Sequence, residues 1–271
     1  MLNKMRKSGL LALIFAGFLG LSSVASADPI PLGWSCTGNC GQFSVTDGNV
    51  TVPTASGFNT YQWISTNGGV FGTGILPTGG TGQETDGSYM QTSTFSVLAG
   101  DELKFDFNYI TSDGAQFTEY AWAGLFAGTS TFDSYLFTAR TVPGAGNTVP
   151  GFGLPGLGAG VTLTPASTAI IPGASNFSPL GGNSGACYAG LGQGCGSTGW
   201  ISMAYSFTTA GTYSLGFGVT NALDTAFDSA FAISGITIND VPVGVPEPGM
   251  LALLGLGLAG MGALRRRRSS I

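Results

Sequence analysis

The chain has 271 residues, a formal charge of −5 and no histidine. The lack of histidine excludes Ser-His-Asp and Cys-His catalysis and the usual zinc-hydrolase ligand sets. Between residues 28 and 244 two basic residues, Lys104 and Arg140, stand against 13 acidic ones, so this region has a formal charge of −11. An acidic surface of this kind repels phosphate backbones, and we expect no binding to nucleic acid.

The N-terminus has the three parts of a secretory signal peptide. Three basic residues among the first seven precede an apolar stretch at 9–21, and Ala25 and Ala27 then form a small-x-small cleavage site. We expect the Sec translocon and signal peptidase to act on residues 1–27. The alternative, a retained membrane helix, is weaker because the apolar stretch is shorter than a bilayer requires.

Residues 28–244 have the pattern of one secreted all-β domain. Short alternating runs are bounded by Gly, Pro, Asn and Asp, and no long helical periodicity is present. The clearest predicted strands are 89–97, 102–110, 121–126, 200–207, 211–220 and 230–238. In the second of these, Leu103, Phe105, Phe107 and Tyr109 share one face, which is typical of a half-buried antiparallel strand. We predict an antiparallel two-sheet sandwich of jelly-roll type.

A segment rich in Gly and Pro, at about 141–199, separates the early strands from the late ones. We expect long ordered loops there with one or two short strands, and a disordered insert is the alternative. The four cysteines of the chain are Cys36, Cys40, Cys187 and Cys195. Export favours disulfides over a four-thiolate metal site, and the short spacings favour Cys36–Cys40 and Cys187–Cys195 among the three pairings.

Three aspartates are candidates for a calcium site. Asp113 follows a predicted strand, and Asp224 and Asp228 lie four residues apart before the last one. Oxygen-rich loops of this type bind Ca²⁺, although Asp residues in loops also shape turns through hydrogen bonds to the backbone. No other cofactor is predicted. Glu84, Glu102 and Glu119 are candidate glycosidase carboxylates, but no pair is singled out, and we predict no catalytic residue and no enzyme.

The C-terminal segment 245–271 contains a turn, an apolar stretch and a basic cluster in that order. Pro246, Glu247 and Pro248 precede an uncharged stretch at 249–264. The basic cluster comprises Arg265, Arg266, Arg267 and Arg268. Sixteen residues of helix span roughly 24 Å, which is short for a hydrocarbon core of about 30 Å, and the arginines favour a cytoplasmic end. We therefore predict a transmembrane helix with its basic end inside the cell.

This tail resembles the PEP-CTERM sorting signal of Gram-negative bacteria in its Pro-Glu-Pro motif, its Gly/Leu/Ala-rich segment and its arginine run. The resemblance implies recognition by exosortase, a membrane transpeptidase-like enzyme that removes the tail. It also implies a precursor tethered to the inner membrane and a mature form in the cell envelope or extracellular matrix. The alternative is an ordinary single-span anchor with a chance Pro-Glu-Pro.

Taken together, these patterns predict a non-enzymatic structural protein or one associated with exopolysaccharide. Because exposed aromatic side chains stack on sugar rings, a calcium-assisted carbohydrate-binding module is the alternative function. A secreted glycoside hydrolase is the third.

Overall fold

A computed structural model describes residues 29–53, 57–141, 146–188 and 194–243. The signal peptide with Ala25 and Ala27 lies outside these residues, and so do the Pro-Glu-Pro motif and the arginine cluster of the tail. Within the four described ranges no helix is both long and apolar enough to cross a membrane.

The described chain is made of β-strands with one short 3-10 helix, Ser178–Asn183. In chain order the strands are β1 (Ser35–Thr37), β2 (Asn39–Phe43), β3 (Tyr61–Ser65), β4 (Val70–Phe71), β5 (Glu84–Gln91), β6 (Phe95–Val97), β7 (Glu102–Thr111), β8 (Tyr120–Ala127), β9 (Thr131–Ala139), β10 (Asn147–Val149), β11 (Val161–Thr164), β12 (Thr168–Ala169), β13 (Ile171–Pro172), β14 (Gly196–Ser197), β15 (Ile201–Ser206), β16 (Gly211–Ala222), β17 (Ser229–Ile238) and β18 (Val241–Pro242).

The strands form two large antiparallel sheets with the winding of a jelly roll. The first sheet has the order β1-β5-β16-β8-β9, and the second has the order β11-β15-β7-β17-β3-β2. The eight main strands, taken in chain order, are β3, β5, β7, β8, β9, β15, β16 and β17. Their spatial order is 2-7-4-5 in one sheet and 6-3-8-1 in the other, which is two interlocked Greek keys. The predicted sandwich of jelly-roll type is confirmed.

The predicted strands are present, with one break. The predicted strand 89–97 is divided between β5 and β6 at Thr92, whose backbone N–H instead donates to the carbonyl of Leu215 at 2.9 Å. The segment 141–199 is more ordered than the expectation of one or two strands, because β10 to β14 all lie within it. Of these, β11 extends the second sheet by pairing with β15.

Aromatic side chains fill the space between the sheets. Phe107 on β7 stacks on Phe137 of β9 with a centroid distance of 4.0 Å and an interplanar angle of 11°. Phe231 of β17 contacts both rings, at 6.2 and 4.7 Å. Because inward-facing residues recur at every second position, each long strand adds several apolar side chains to this single core.

A second core lies on the outer face of the second sheet. Ile110 and Trp63 project there, and Phe43, Phe177 and Leu180 cover them. Two segments supply this cover: the end of β2 with the chain that follows it, and the 3-10 helix with the residue before it. They join through Asp47, which accepts hydrogen bonds from the backbone N–H and hydroxyl of Ser178. This half of the second sheet is therefore buried on both faces.

Replacement of Phe107 by alanine should destabilise the sandwich by about 3–5 kcal/mol, because it removes a fully buried ring and leaves a cavity. The free energy of unfolding, measured by denaturant titration of the exported protein, checks this value. Phe71→Ala is the matched control, since that ring is 82% exposed and its loss should change stability by less than about 0.5 kcal/mol. Equal losses for the two variants would contradict the assigned core.

Candidate functional site

At one end of the sandwich the inward-facing positions change from apolar to polar. The core residues Tyr109 on β7, Val219 on β16 and Phe231 on β17 each lie two positions from a polar residue that is nearer to this end. These residues are Thr111 on β7, Asn221 on β16 and Ser229 on β17, and Glu119 takes the equivalent position just before β8. All four are at most 2% exposed, and we call them, together with Asp113 from the loop after β7, the polar layer.

Glu119 joins the two sheets within the polar layer. Its Oε2 accepts hydrogen bonds from Ser229 Oγ at 2.6 Å and from Thr111 Oγ1 at 3.1 Å. Both donors belong to the second sheet, whereas Glu119 precedes a strand of the first. A buried carboxyl group that accepts from two hydroxyl donors forms a strong contact in a low-dielectric interior, so Glu119 fixes the spacing of the sheets at this end.

Asp113 and Glu119 form a buried carboxyl pair. Asp113 Oδ1 accepts a hydrogen bond from the Gly114 N–H at 2.6 Å. Asp113 Oδ2 and Glu119 Oε1 meet no N–H or O–H donor among the described residues, and the two carboxyl groups face each other within hydrogen-bonding reach. Burial raises the pKa of Asp113 to about 6. Burial, and then the charge of Asp113, raise the pKa of Glu119 well above its usual range.

No basic side chain of the described residues compensates this pair. Lys104 Nζ contacts Glu102 at 2.8 Å and Asp240 at 3.3 Å, at the other end of β7. Arg140 lies over the ring of Tyr120 at 5.2 Å from the centroid. The polar layer is thus an acidic interior without a described counter-ion.

Asp224 and Asp228 do not join Asp113 in one ligand set. Asp228 accepts hydrogen bonds from Thr66 Oγ1 at 3.2 Å and Asn183 Nδ2 at 2.8 Å, so both of its oxygens are engaged. Asp224 accepts from the N–H of Ala226 at 2.9 Å in a local turn. Across the described ranges no three acidic or cysteine side chains are grouped to hold a metal ion. For these two residues the geometry matches the turn-shaping alternative.

Glu119, which lies opposite Asp113, is absent from the calcium ligands predicted from the sequence. The sequence singled it out only among the candidate glycosidase carboxylates. The sequence nevertheless contained a signal that Glu119 faces inward. Ala121, Ala123 and Leu125 face inward on β8, and the same period of two places Glu119 on that face. Its pairing with Asp113 has no signal in local sequence, because it depends on how the loop between β7 and β8 folds.

The predicted disulfide pairings are the ones found. Cys36–Cys40 connects β1 of the first sheet to β2 of the second, so it closes one edge of the sandwich. Cys187–Cys195 closes the segment next to the polar layer. In that segment Tyr188 donates its backbone N–H to the carbonyl of Ser112 at 2.9 Å. The second disulfide therefore holds Tyr188 beside Asp113, and we call this residue the cover.

The cover is held by aromatic contacts. The ring of Tyr188 packs edge-on against Phe117 and Phe227, each at 5.3 Å between centroids. A Cβ at Gly114 would lie 2.8 Å from the Tyr188 ring, so the residue after Asp113 needs to be glycine for this close approach. Solvent is thereby excluded from the polar layer.

A separate groove of about 350 Å³ lies on the open half of the outer face of the second sheet. Its lining includes Phe58, Asp106, Ser202 and Thr237. Ser202 donates to Asp106 at 2.6 Å. The lining of the groove combines polar and apolar side chains, with Phe58 among the latter.

Comparison with known proteins identifies the tail. Residues 244–268 match the family model of the PEP-CTERM protein-sorting motif. The chain carries a PEP-CTERM sorting motif and is an exported protein that exosortase processes. No curated protein matches it. A crystal structure of the K1 cleaved adhesin domain of Lys-gingipain from Porphyromonas gingivalis W83 is similar at 12% identity and a TM-score of 0.31, over 78% of this chain and 96% of that one.

The PEP-CTERM motif begins next to a defined end of the sandwich. Val243 precedes it and donates its N–H to the carbonyl of Ile236, and β18 pairs with the last residues of β17. Ser229 and the polar layer lie at the first residue of β17, seven positions from Ile236, which is about 24 Å along a strand. Pro29, close to the other end of the exported region, lines a 290 Å³ cavity together with Val243. Both ends of the body therefore lie opposite the polar layer.

Replacement of Asp228 by alanine should cost about 1–3 kcal/mol of stability, because it leaves buried donors of Thr66 and Asn183 without their acceptor. Asp224→Ala, which removes one acceptor of a solvent-facing turn, should cost about 0.5 kcal/mol. Thermal unfolding of both variants beside the wild type measures the difference. A larger loss for Asp224→Ala would reverse the roles assigned to the two aspartates.

Proposed function

We propose that the jelly-roll body is a non-enzymatic structural component of the cell envelope or of extracellular polymer in a Gram-negative bacterium. The observation that carries this proposal is the sorting motif, which starts directly after the last residue of the sandwich. The precursor passes the Sec translocon, loses its leader to signal peptidase, and stays tethered to the inner membrane until exosortase removes the tail near Glu247. The arginine cluster holds the membrane segment in register.

A non-enzymatic role is supported by the state of the three candidate glycosidase carboxylates. Glu119 is 2% exposed and cannot meet a polysaccharide. Glu102 is paired with Lys104. Burial alone would raise the pKa of Glu84, but hydrogen bonds from the Thr81 N–H and from Tyr120 Oη outweigh it and lower the pKa to about 2. A carboxylate held in this way fixes a loop and is a poor proton donor at neutral pH.

Mass spectrometry of the mature protein from its native host tests the sorting step. We expect an N-terminus at Asp28 and a C-terminus next to Glu247, because exosortase cleaves near the Pro-Glu-Pro motif. Deletion of Arg265 to Arg268 should lower the amount of cell-associated precursor, since the membrane segment then lacks its cytoplasmic anchor. A final extracellular form that still carries Arg268, or unchanged precursor levels after the deletion, would contradict this route.

The alternative function is carbohydrate binding, and the groove on the second sheet is the observation that favours it. A lining that combines polar side chains such as Asp106 and Ser202 with the ring of Phe58 suits a sugar, whose hydroxyls form hydrogen bonds and whose faces stack on aromatics. Binding there would attach the body to exopolysaccharide.

A glycan array, run with and without a chelator, tests this alternative. If the groove binds sugar, Asp106→Ala should weaken binding at least tenfold, because Asp106 is a polar group on the groove floor. The control is Asp133→Ala, which removes an exposed carboxylate that does not line the groove. Binding that is equal in both variants would exclude the groove as the sugar site.

A further inference from the structure

We propose that the polar layer holds one calcium ion, bound by the carboxyl groups of Asp113 and Glu119 and by the amide oxygen of Asn221. This inference goes beyond the sorting function and does not depend on it. It also differs from the ligand set predicted from the sequence, because Asp224 and Asp228 are replaced by Glu119 and Asn221.

Three buried oxygens that meet no donor when both carboxyl groups are ionised carry the proposal. They are Asp113 Oδ2, Glu119 Oε1 and Asn221 Oδ1, on side chains that are 1%, 2% and 0% exposed. A buried acceptor that meets no donor costs free energy comparable to a lost hydrogen bond, and a buried unpaired charge costs more. Three such atoms at one end of a closed sandwich indicate that a group is bound there.

The three side chains lie at neighbouring positions. Thr220 of β16 is the register partner of Tyr120 on β8. Asn221 is the next residue after Thr220, and Glu119 is the residue just before Tyr120, so the two occupy adjacent strands at the same level. Asp113 faces Glu119 from the loop after β7. The ligands thus come from both sheets.

The group that fits is a cation. The donors of the polar layer are already used, since Thr111 and Ser229 donate to Glu119 Oε2 and Asn221 Nδ2 donates to Asp86 Oδ1 at 3.2 Å. What remains is a surplus of acceptors, with two carboxyl groups and no basic side chain of the described chain beside them. A divalent ion neutralises both carboxylates at once.

The ligand chemistry selects calcium. All candidate ligands are oxygens, and the chain contains no histidine, which disfavours zinc and other metals that prefer nitrogen. Mg²⁺ retains several waters, whereas Ca²⁺ accepts six to eight oxygens in flexible geometry. Two carboxylates, the Asn221 carbonyl and the hydroxyls of Thr111 and Ser229 approach this number under the cover of Tyr188. Extracellular modules bind Ca²⁺ with dissociation constants of about 10⁻⁴–10⁻³ M, so the site would fill after export.

Metal analysis and thermal unfolding of the mature protein isolated from its native host test the site. After dialysis against chelator and then against calcium chloride, we expect one calcium per chain by elemental mass spectrometry. At a free calcium concentration about 100-fold above the dissociation constant, the Tm should rise by roughly 5–10 °C. Magnesium chloride and sodium chloride at matched ionic strength should give less than a quarter of this shift.

Substitutions assign the ligands. Glu119→Gln and Asp113→Asn are nearly isosteric, and each should abolish the calcium-dependent rise in Tm. Asp224→Asn is the matched control, because it removes a neighbouring carboxylate whose role is a local turn, and it should keep the full rise. Asn221→Asp should keep or tighten binding.

Two results would overturn the proposal. One is wild-type protein that takes up no calcium and shows no shift, which would mean that Asp113 and Glu119 share a proton instead. The other is a calcium shift retained by Asp113→Asn and Glu119→Gln but lost in Asp224→Asn, which would place the ion elsewhere. The wild-type measurements decide the question even if a variant does not fold.

Discussion

The fold depends on the aromatic packing between the two sheets. Phe107, Phe137 and Phe231 meet at the centre, and the stacked pair at 4.0 Å sets how closely the sheets approach there. Sheets that pack face to face stay about 10 Å apart only if large side chains interdigitate between them. With two basic residues in the exported body, ion pairs contribute little, and apolar burial at about 25 cal/mol per Å² has to supply most of the stability.

The alternation of side chains along these strands also produces the polar layer. Strands continue past the end of the aromatic core, and their period of two still directs alternate side chains inward, where Thr111, Asn221 and Ser229 now lie. Glu119 accepts hydrogen bonds from the hydroxyls of this layer and brings a carboxyl group into the interior. The acidic end of the sandwich is therefore a consequence of register, and Tyr188, next to Cys187, packs beside it.

The Gly- and Pro-rich segment gives the two halves of the second sheet different surfaces. Phe177 and Leu180 bury one half in a second core, while the other half remains open as the groove. Because β18 ends beside the start of the sorting motif, the motif follows the end of the sandwich that lies away from the polar layer. The loops after β7 and before β17 therefore point away from the start of the sorting motif.

The sequence by itself determined the class of fold, the two short disulfides and the sorting motif, because each depends on residues that are close together in the chain. The signals are alternation along a strand, cysteines four and eight residues apart, and a three-part tail. Only the tertiary structure decided the second core and the strands within 141–199, since a Gly- and Pro-rich stretch acquires its order from the surface on which it packs. It also placed Glu119 opposite Asp113, and it engaged Asp224 and Asp228 in hydrogen bonds of their own. Sequence proximity favoured the aspartates, but the facing of two carboxyl groups is set by strand register and loop path, which connect residues from different sheets.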